Sequence, residues 1–177
     1  MNRIAATTVI AAALTTAACD RQPTPTTVAP PAANNASAAA WQLATAPADA
    51  RTIAEIKPTA QEGDTVTVRG RIGGRAQPLT ADAPVFVMMD PAVPSCADDP
   101  EDNCPTPWDY CCEPRASITA NSATVQLVDA DGNPITADLT AAGFAPLDEV
   151  IVVGTVAARP SPEVLTIRAT AIHRVGG

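Results

Sequence analysis

The chain has 177 residues, and its 19 Asp and Glu outweigh 11 Lys and Arg to give a formal net charge of −8. That sign opposes a nucleic-acid partner, whose phosphates demand clusters of basic side chains. Aromatic residues are only 3% of the chain, so Val, Ile, Leu and Ala must fill any interior, a filling that a small barrel tolerates.

In chain order, Arg3 precedes the apolar run 4–14, which has signal-peptide length and is too short to remain in a bilayer as a spanning helix. Residues 1–18 are therefore predicted to be a signal peptide, and their removal takes away only one charged side chain, Arg3. Thr16, Ala17 and Ala18 lie directly before Cys19. This stretch resembles a bacterial lipobox, with Thr16 where leucine is usual; the resemblance implies cleavage before Cys19 and transfer of a diacylglycerol to its thiol. The competing reading is an ordinary small-residue cleavage site beside an incidental cysteine. Residues 19–50 read as the lipidated cysteine and a disordered tether, because the Ala, Pro and Thr of segment 22–40 supply almost no bulky side chain to bury. Asp20 resembles the inner-membrane retention signal of enteric lipoproteins, a sorting rule that varies among bacteria. The expected location is the bacterial cell envelope, lipid-anchored and facing the periplasm or exterior.

Residues 51–177, roughly 125 residues, suit a single compact domain. A short helical or extended lead-in over 52–57 stops at Pro58, which has no amide proton to give. The first strand, 65–72, alternates Val66, Val68, Gly70 and Ile72 with Thr65, Thr67, Arg69 and Arg71, and Gly70 suggests a bend or bulge. A continuous apolar run predicts a second, largely buried strand over 83–90. The third, 123–128, is closed by the strong turn 129–134. A weak short helix over 139–147 leads to the fourth strand, 149–156, and the turn 160–162 to the fifth, 165–175, with Leu165, Ile167, Ala169 and Ala171 on one side.

The expected class is thus mainly β: a five-stranded OB-fold-like barrel with a short helix between strands 3 and 4 and a cysteine-rich loop inserted between strands 2 and 3. Segments 63–72, 86–90 and 148–156 resemble the first, second and fourth strands of bacterial OB-fold domains. The loop stretch Cys104-Pro-Thr-Pro-Trp-Asp-Tyr-Cys-Cys-Glu-Pro114 resembles a signature of uncharacterised bacterial lipoproteins, which implies location and fold but no activity. Fold alone does not give function.

Cys96, Cys104, Cys111 and Cys112 carry the most chemistry. Export favours disulfides, and a bond between adjacent Cys111 and Cys112 strains the peptide, so Cys96 and Cys104 are each expected to take one of them. A bridge closing about 15 residues is worth roughly 3 kcal/mol in the chain-entropy account. The alternative is a four-thiolate zinc or copper site, or redox-active thiols; the lack of cysteine pairs two to four residues apart and the opposed directions of neighbouring side chains on extended backbone favour disulfides. Trp108, Asp109 and Tyr110, with Arg69, Arg71 and Arg75, are the candidate ligand surface, although aromatics beside cysteine bridges more often pack. The acidic run 98–103 lacks the EF-hand pattern, Gly70–Gly74 lacks a following helix, and His173 has no evident partner. No Gly-x-Ser-x-Gly, Ser-x-x-Lys or His-Glu-x-x-His occurs, so the expectation is a non-enzymatic binding module without a cofactor, anchored in the membrane and meeting an envelope protein or glycan. A nucleic-acid-binding OB-fold is the second alternative, disfavoured by charge and compartment.

Overall fold

A computed structural model describes residues 40–81 and 84–176. The expected signal peptide, residues 1–18, and the first part of the expected tether, residues 19–39 with Cys19, lie outside the described residues.

Alternation builds the wall of the barrel. In β2 (Thr65–Ile72) Val68, Gly70 and Ile72 are buried while Thr65 and Arg69 face solvent. It pairs antiparallel with β5 (Glu149–Val156) from Thr65 opposite Thr155 to Arg71 opposite Glu149, and with β3 (Val85–Met89) at Arg71 and Ile72. Strand β3 pairs antiparallel with β4 (Ser122–Leu127), which runs parallel to β6 (Thr166–Arg174), and β6 returns antiparallel to β5. Hydrogen bonding therefore closes the ring β2-β3-β4-β6-β5, the five-strand arrangement of an OB-fold-like barrel. The interior is filled by Val68, Ile72, Phe86, Met88, Val125, Val152 and Ile167 among others.

The continuous apolar run of β3 has a structural cause. Phe86 and Met88 enter the barrel, while Met89 belongs to a second small cluster with Val93 and Tyr110 outside it. Both faces of the strand are covered, so neither is polar.

Four expectations change. The domain begins before residue 51: Trp41 is buried in the barrel core, and the backbone around it pairs with β6 through Ile172 N to Trp41 O (2.7 Å) and Leu43 N to Ile172 O (2.8 Å). His173 joins this seam, with Nδ1 2.9 Å from Leu43 O. Second, the segment between β4 and β5 forms one hydrogen-bonded turn instead of a helix. Asp138 O accepts from Ala142 N and Asp138 Oδ1 from Ala141 N, after which Gly143 turns left-handed (φ 90°) and Phe144 N bonds back to Leu139 O. The reversal sends Leu139 and Phe144 into the core, where Phe144 meets Trp41 with ring centroids 5.8 Å apart.

Third, Gly70 is not a bulge, because its register with β5 is unbroken; a Cβ there would lie 2.9 Å from Met88 Sδ, so the glycine makes room for a core side chain. The irregularity falls between Val153 and Gly154, which pair with Ala171 and Ala169 and leave Thr170 as the extra residue. Fourth, that extra residue switches the inward side of β6, so Ile172 is fully buried and Ala171 only half-buried.

Two short helices flank the barrel. In α1 (Ile53–Ile56) a capping box joins Thr52 and Glu55, and Ile53 and Ile56 enter the core. Strand β1 (Arg51–Thr52) leads into it, parallel to β2. Lys57, buried at its end, donates from Nζ to Thr119 O (2.5 Å) and Ser122 O (2.7 Å), which ties α1 to the end of α2 (Arg115–Ala120). Burial lowers the Lys57 pKa, Arg159 lowers it further, and Glu163 opposes them.

Candidate functional site: the cysteine-bearing excursion

The chain leaves the barrel after β3 and returns before β4, and its neck is closed by Asp90 N to Asn121 O at 2.8 Å. Asp90 is buried, and its carboxylate accepts from Ala54 N of α1 (2.7 Å) and Ala92 N (3.0 Å). One aspartate thus joins the lead-in helix, the end of β3 and the start of the excursion.

Tyr110 fastens the far half. Its backbone is left-handed (φ 58°), and its ring is fully buried against Met89 and Val93, with Ile118 and Leu147 at the edges. The Gly73-Gly74 pair receives this half of the loop. A Cβ on Gly73 would come within 2.6 Å of Trp108 O and 2.8 Å of Tyr110 Cε2, and Gly74 N donates to Trp108 O at 2.8 Å. The half-buried Trp108 donates its indole N–H to Ala76 O at 3.0 Å. Tyr110 therefore offers no face to a ligand, and Trp108 is partly spent on packing.

The acidic residues shape the loop's own backbone. Asp98 Oδ2 accepts from Ser95 N (2.7 Å), Ser95 Oγ (2.9 Å) and Arg71 Nη1 (2.7 Å). Asp99, Asp102 and Asp109 each accept the backbone N–H two residues on, from Glu101, Cys104 and Cys111, all at 2.9 Å. Asp109 also accepts from Thr106 Oγ1 at 2.7 Å. The hydrogen bonds from Ser95 and Arg71 outweigh desolvation and hold the Asp98 carboxyl below the usual range.

These turns bring the four thiols together. Cys96, on a 3-10 turn over Cys96–Asp98, is drawn to the other half by its N–H bonding Pro107 O at 3.2 Å. Cys111 Sγ lies 3.7 Å from Cys104 Sγ, 3.9 Å from Cys112 Sγ and 4.0 Å from Cys96 Sγ, while Cys96 and Cys112 are 3.6 Å apart. All four are free thiols in the structure. Cys111 and Cys112 do not point apart, because they occupy a turn closed by Glu113 N to Tyr110 O (3.0 Å) and not extended backbone. Burial first, and the Cys112 hydrogen bond second, push the Cys96 thiol up to about 11. Cys111 is also pushed up, chiefly by hydrogen bonds with Cys104, Asp109 and Cys112.

Beside the cluster, a cleft of about 290 Å³ is lined by Ser95, Cys96, Asp98, Asp102, Tyr110 and Cys112 among others. Tyr110 Oη is buried with no hydrogen-bond partner among the described residues. Burial raises its pKa, and the nearby Arg71 guanidinium opposes that rise.

The candidate basic surface is largely neutralised. Arg69 is paired with Glu149, Arg71 with Asp98, and exposed Arg75 stands beyond the glycine pair. Sequence reasoning missed Asp90, Ser95 and Thr106 as framework. A signal was present for Thr106 and Asp109: a threonine three residues before an aspartate, itself two before a cysteine, is a local turn pattern.

The chain matches no protein-family model and no curated protein. Among solved structures it is similar to one described as the hypothetical protein ygiW from E. coli, with 14% identity, a TM-score of 0.36, and coverage of 76% of this chain and 95% of that one. It is also similar to a putative aspartyl-tRNA synthetase from Leishmania major Friedlin, with 13% identity, a TM-score of 0.42, and coverage of 80% of this chain and 24% of that one. Likenesses of this size carry no argument about function.

Proposed function

We propose that the protein is a membrane-anchored cell-envelope lipoprotein whose OB-fold-like barrel is a non-enzymatic binding domain, presenting the cysteine-bearing excursion to an envelope protein or glycan. The observation that carries this reading is the fastening of the excursion. Tyr110 is fully buried and the Gly73-Gly74 backbone receives Trp108, while Asn103, Pro105, Cys111 and Cys112 remain exposed. A polar loop held rigid on a filled barrel is preorganised for recognition, since little conformational entropy is left to lose on binding.

The anchor rests on Cys19, the small residues before it and the tether-like composition after it. Nucleic acid is not the partner in this reading: Arg69 and Arg71 are already paired with carboxylates, and the field around Asp98, Asp99, Glu101 and Asp102 repels phosphates. The anchor is tested by expressing the full chain in a bacterial host and partitioning it in a phase-separating detergent. The parent should enter the detergent phase and carry acyl chains, and Cys19→Ser should move to the aqueous phase without them. Identical partition and migration of the two would contradict the anchor.

A further inference from the structure

We propose that Cys96, Cys104, Cys111 and Cys112 hold one zinc ion as a tetrathiolate. Zinc–sulfur bonds of about 2.3 Å in a tetrahedron set sulfur atoms about 3.8 Å apart. Four of the six edges of that tetrahedron fall at this length, those from Cys111 to the other three sulfurs, 3.7, 3.9 and 4.0 Å, and the 3.6 Å between Cys96 and Cys112. They are nearly twice a disulfide bond of about 2.05 Å. Cys111 is in contact with all three partners at once, whereas a disulfide pairing would need it to choose one.

The absence of cysteine pairs two to four residues apart does not oppose the site, because tertiary structure supplies the convergence. The Cys96 to Pro107 hydrogen bond joins the two halves, and the left-handed Tyr110 turns the adjacent Cys111 and Cys112 to the same side. Asp109 acts as a positioning residue. Its carboxylate lies within 4.8 Å of the Cys96, Cys104 and Cys111 ligand atoms, but its two oxygens already accept the Cys111 N–H and the Thr106 hydroxyl, which fixes the Cys111 backbone. Coordination replaces four S–H bonds with four zinc–sulfur bonds and releases four protons to solvent, with no change in oxidation state. The filled site would also shield the thiols from the oxidants of an exported location. This inference does not depend on the partner or the lipid anchor and can fail separately from either.

The test uses the full chain purified in detergent without chelator or added reductant, with elemental analysis for zinc and copper on the same sample as a non-reducing peptide map of segment 96–112. One zinc per chain is expected, with all four cysteines alkylated after denaturation in chelator. Replacement of the zinc by cobalt should give the charge-transfer and ligand-field bands of a tetrahedral thiolate site, a readout that misfolding alone does not produce. Cys112→Ser should abolish those bands, Asp109→Asn should weaken zinc retention about 10-fold against a competing chelator, and Arg75→Ala should change neither. Peptides linked Cys96 to Cys112 and Cys104 to Cys111 without metal would overturn the proposal. So would stoichiometric copper in place of zinc, or four free thiols that fail to take up added zinc or cobalt.

Discussion

Replacing Trp41 by Ala should lower the free energy of unfolding by about 3–5 kcal/mol, the range for removing a large buried aromatic side chain. The ring is 3% exposed, lies in the main core and is tilted against Phe144 with centroids 5.8 Å apart. Its loss would open the end of the barrel where Leu139 and Phe144 turn inward. Such a change would consume a large part of the 5–15 kcal/mol typical of a folded domain. Trp41→Phe should cost less, because it keeps most of the ring while removing an indole N–H that is buried without a partner among the described residues. A fragment starting at Arg51 should be at least as unstable as Trp41→Ala, since it also loses the backbone bonds to Ile172. Urea titrations followed by fluorescence or circular dichroism read the effect. Equal midpoints for the parent and Trp41→Ala would mean that residues 40–50 are no part of the folded domain.

The second large effect is expected at Gly154. A Cβ there would lie 2.2 Å from Arg168 O and 2.7 Å from Ala169 Cα, both backbone atoms of the paired strand that cannot rotate aside. Gly154→Ala should therefore push β5 from β6 at the bulge and destabilise the protein by about 3 kcal/mol or more, the upper part of the range for overpacking. Gly70→Ala supplies the contrast. The closest atoms to its Cβ would be side-chain atoms of Met88, Sδ at 2.9 Å, Cγ at 3.0 Å and Cβ at 3.1 Å, and not backbone, so the cost should be smaller, about 1–2 kcal/mol. Thermal melts of the two variants compare them directly, and equal losses would mean that the close approach across the bulge does not constrain the barrel.

The barrel was legible because alternation writes the sheet's two faces into the residues. Thr65–Ile72 and Glu149–Val156 have the expected bounds, and their pairing is the longest uninterrupted register in the sheet. Trp41 was missed because one aromatic amid alanines, asparagines and threonines has no period, and only its contact with Phe144 shows that it belongs to the core. The inward switch from Ala171 to Ile172 was hidden for a different reason. The extra residue is Thr170, which carries no turn signal, while the glycine that permits the close approach sits on the opposite strand. At the excursion, the cysteines were visible as a group but their convergence was not. It depends on the left-handed Tyr110 and on hydrogen bonds across the loop, and neither is encoded by spacing.

The binding role of the excursion is tested most directly by site-specific photo-crosslinking of the full chain in the envelope of its own cells. Photoreactive side chains would be placed at exposed Asn103 and Pro105 on the excursion and at exposed Thr155 on the barrel wall. A discrete adduct to an envelope protein or glycan is expected from Asn103 and Pro105, and none from Thr155. Adducts of equal yield from all three positions, or a discrete adduct from Thr155 alone, would contradict that role.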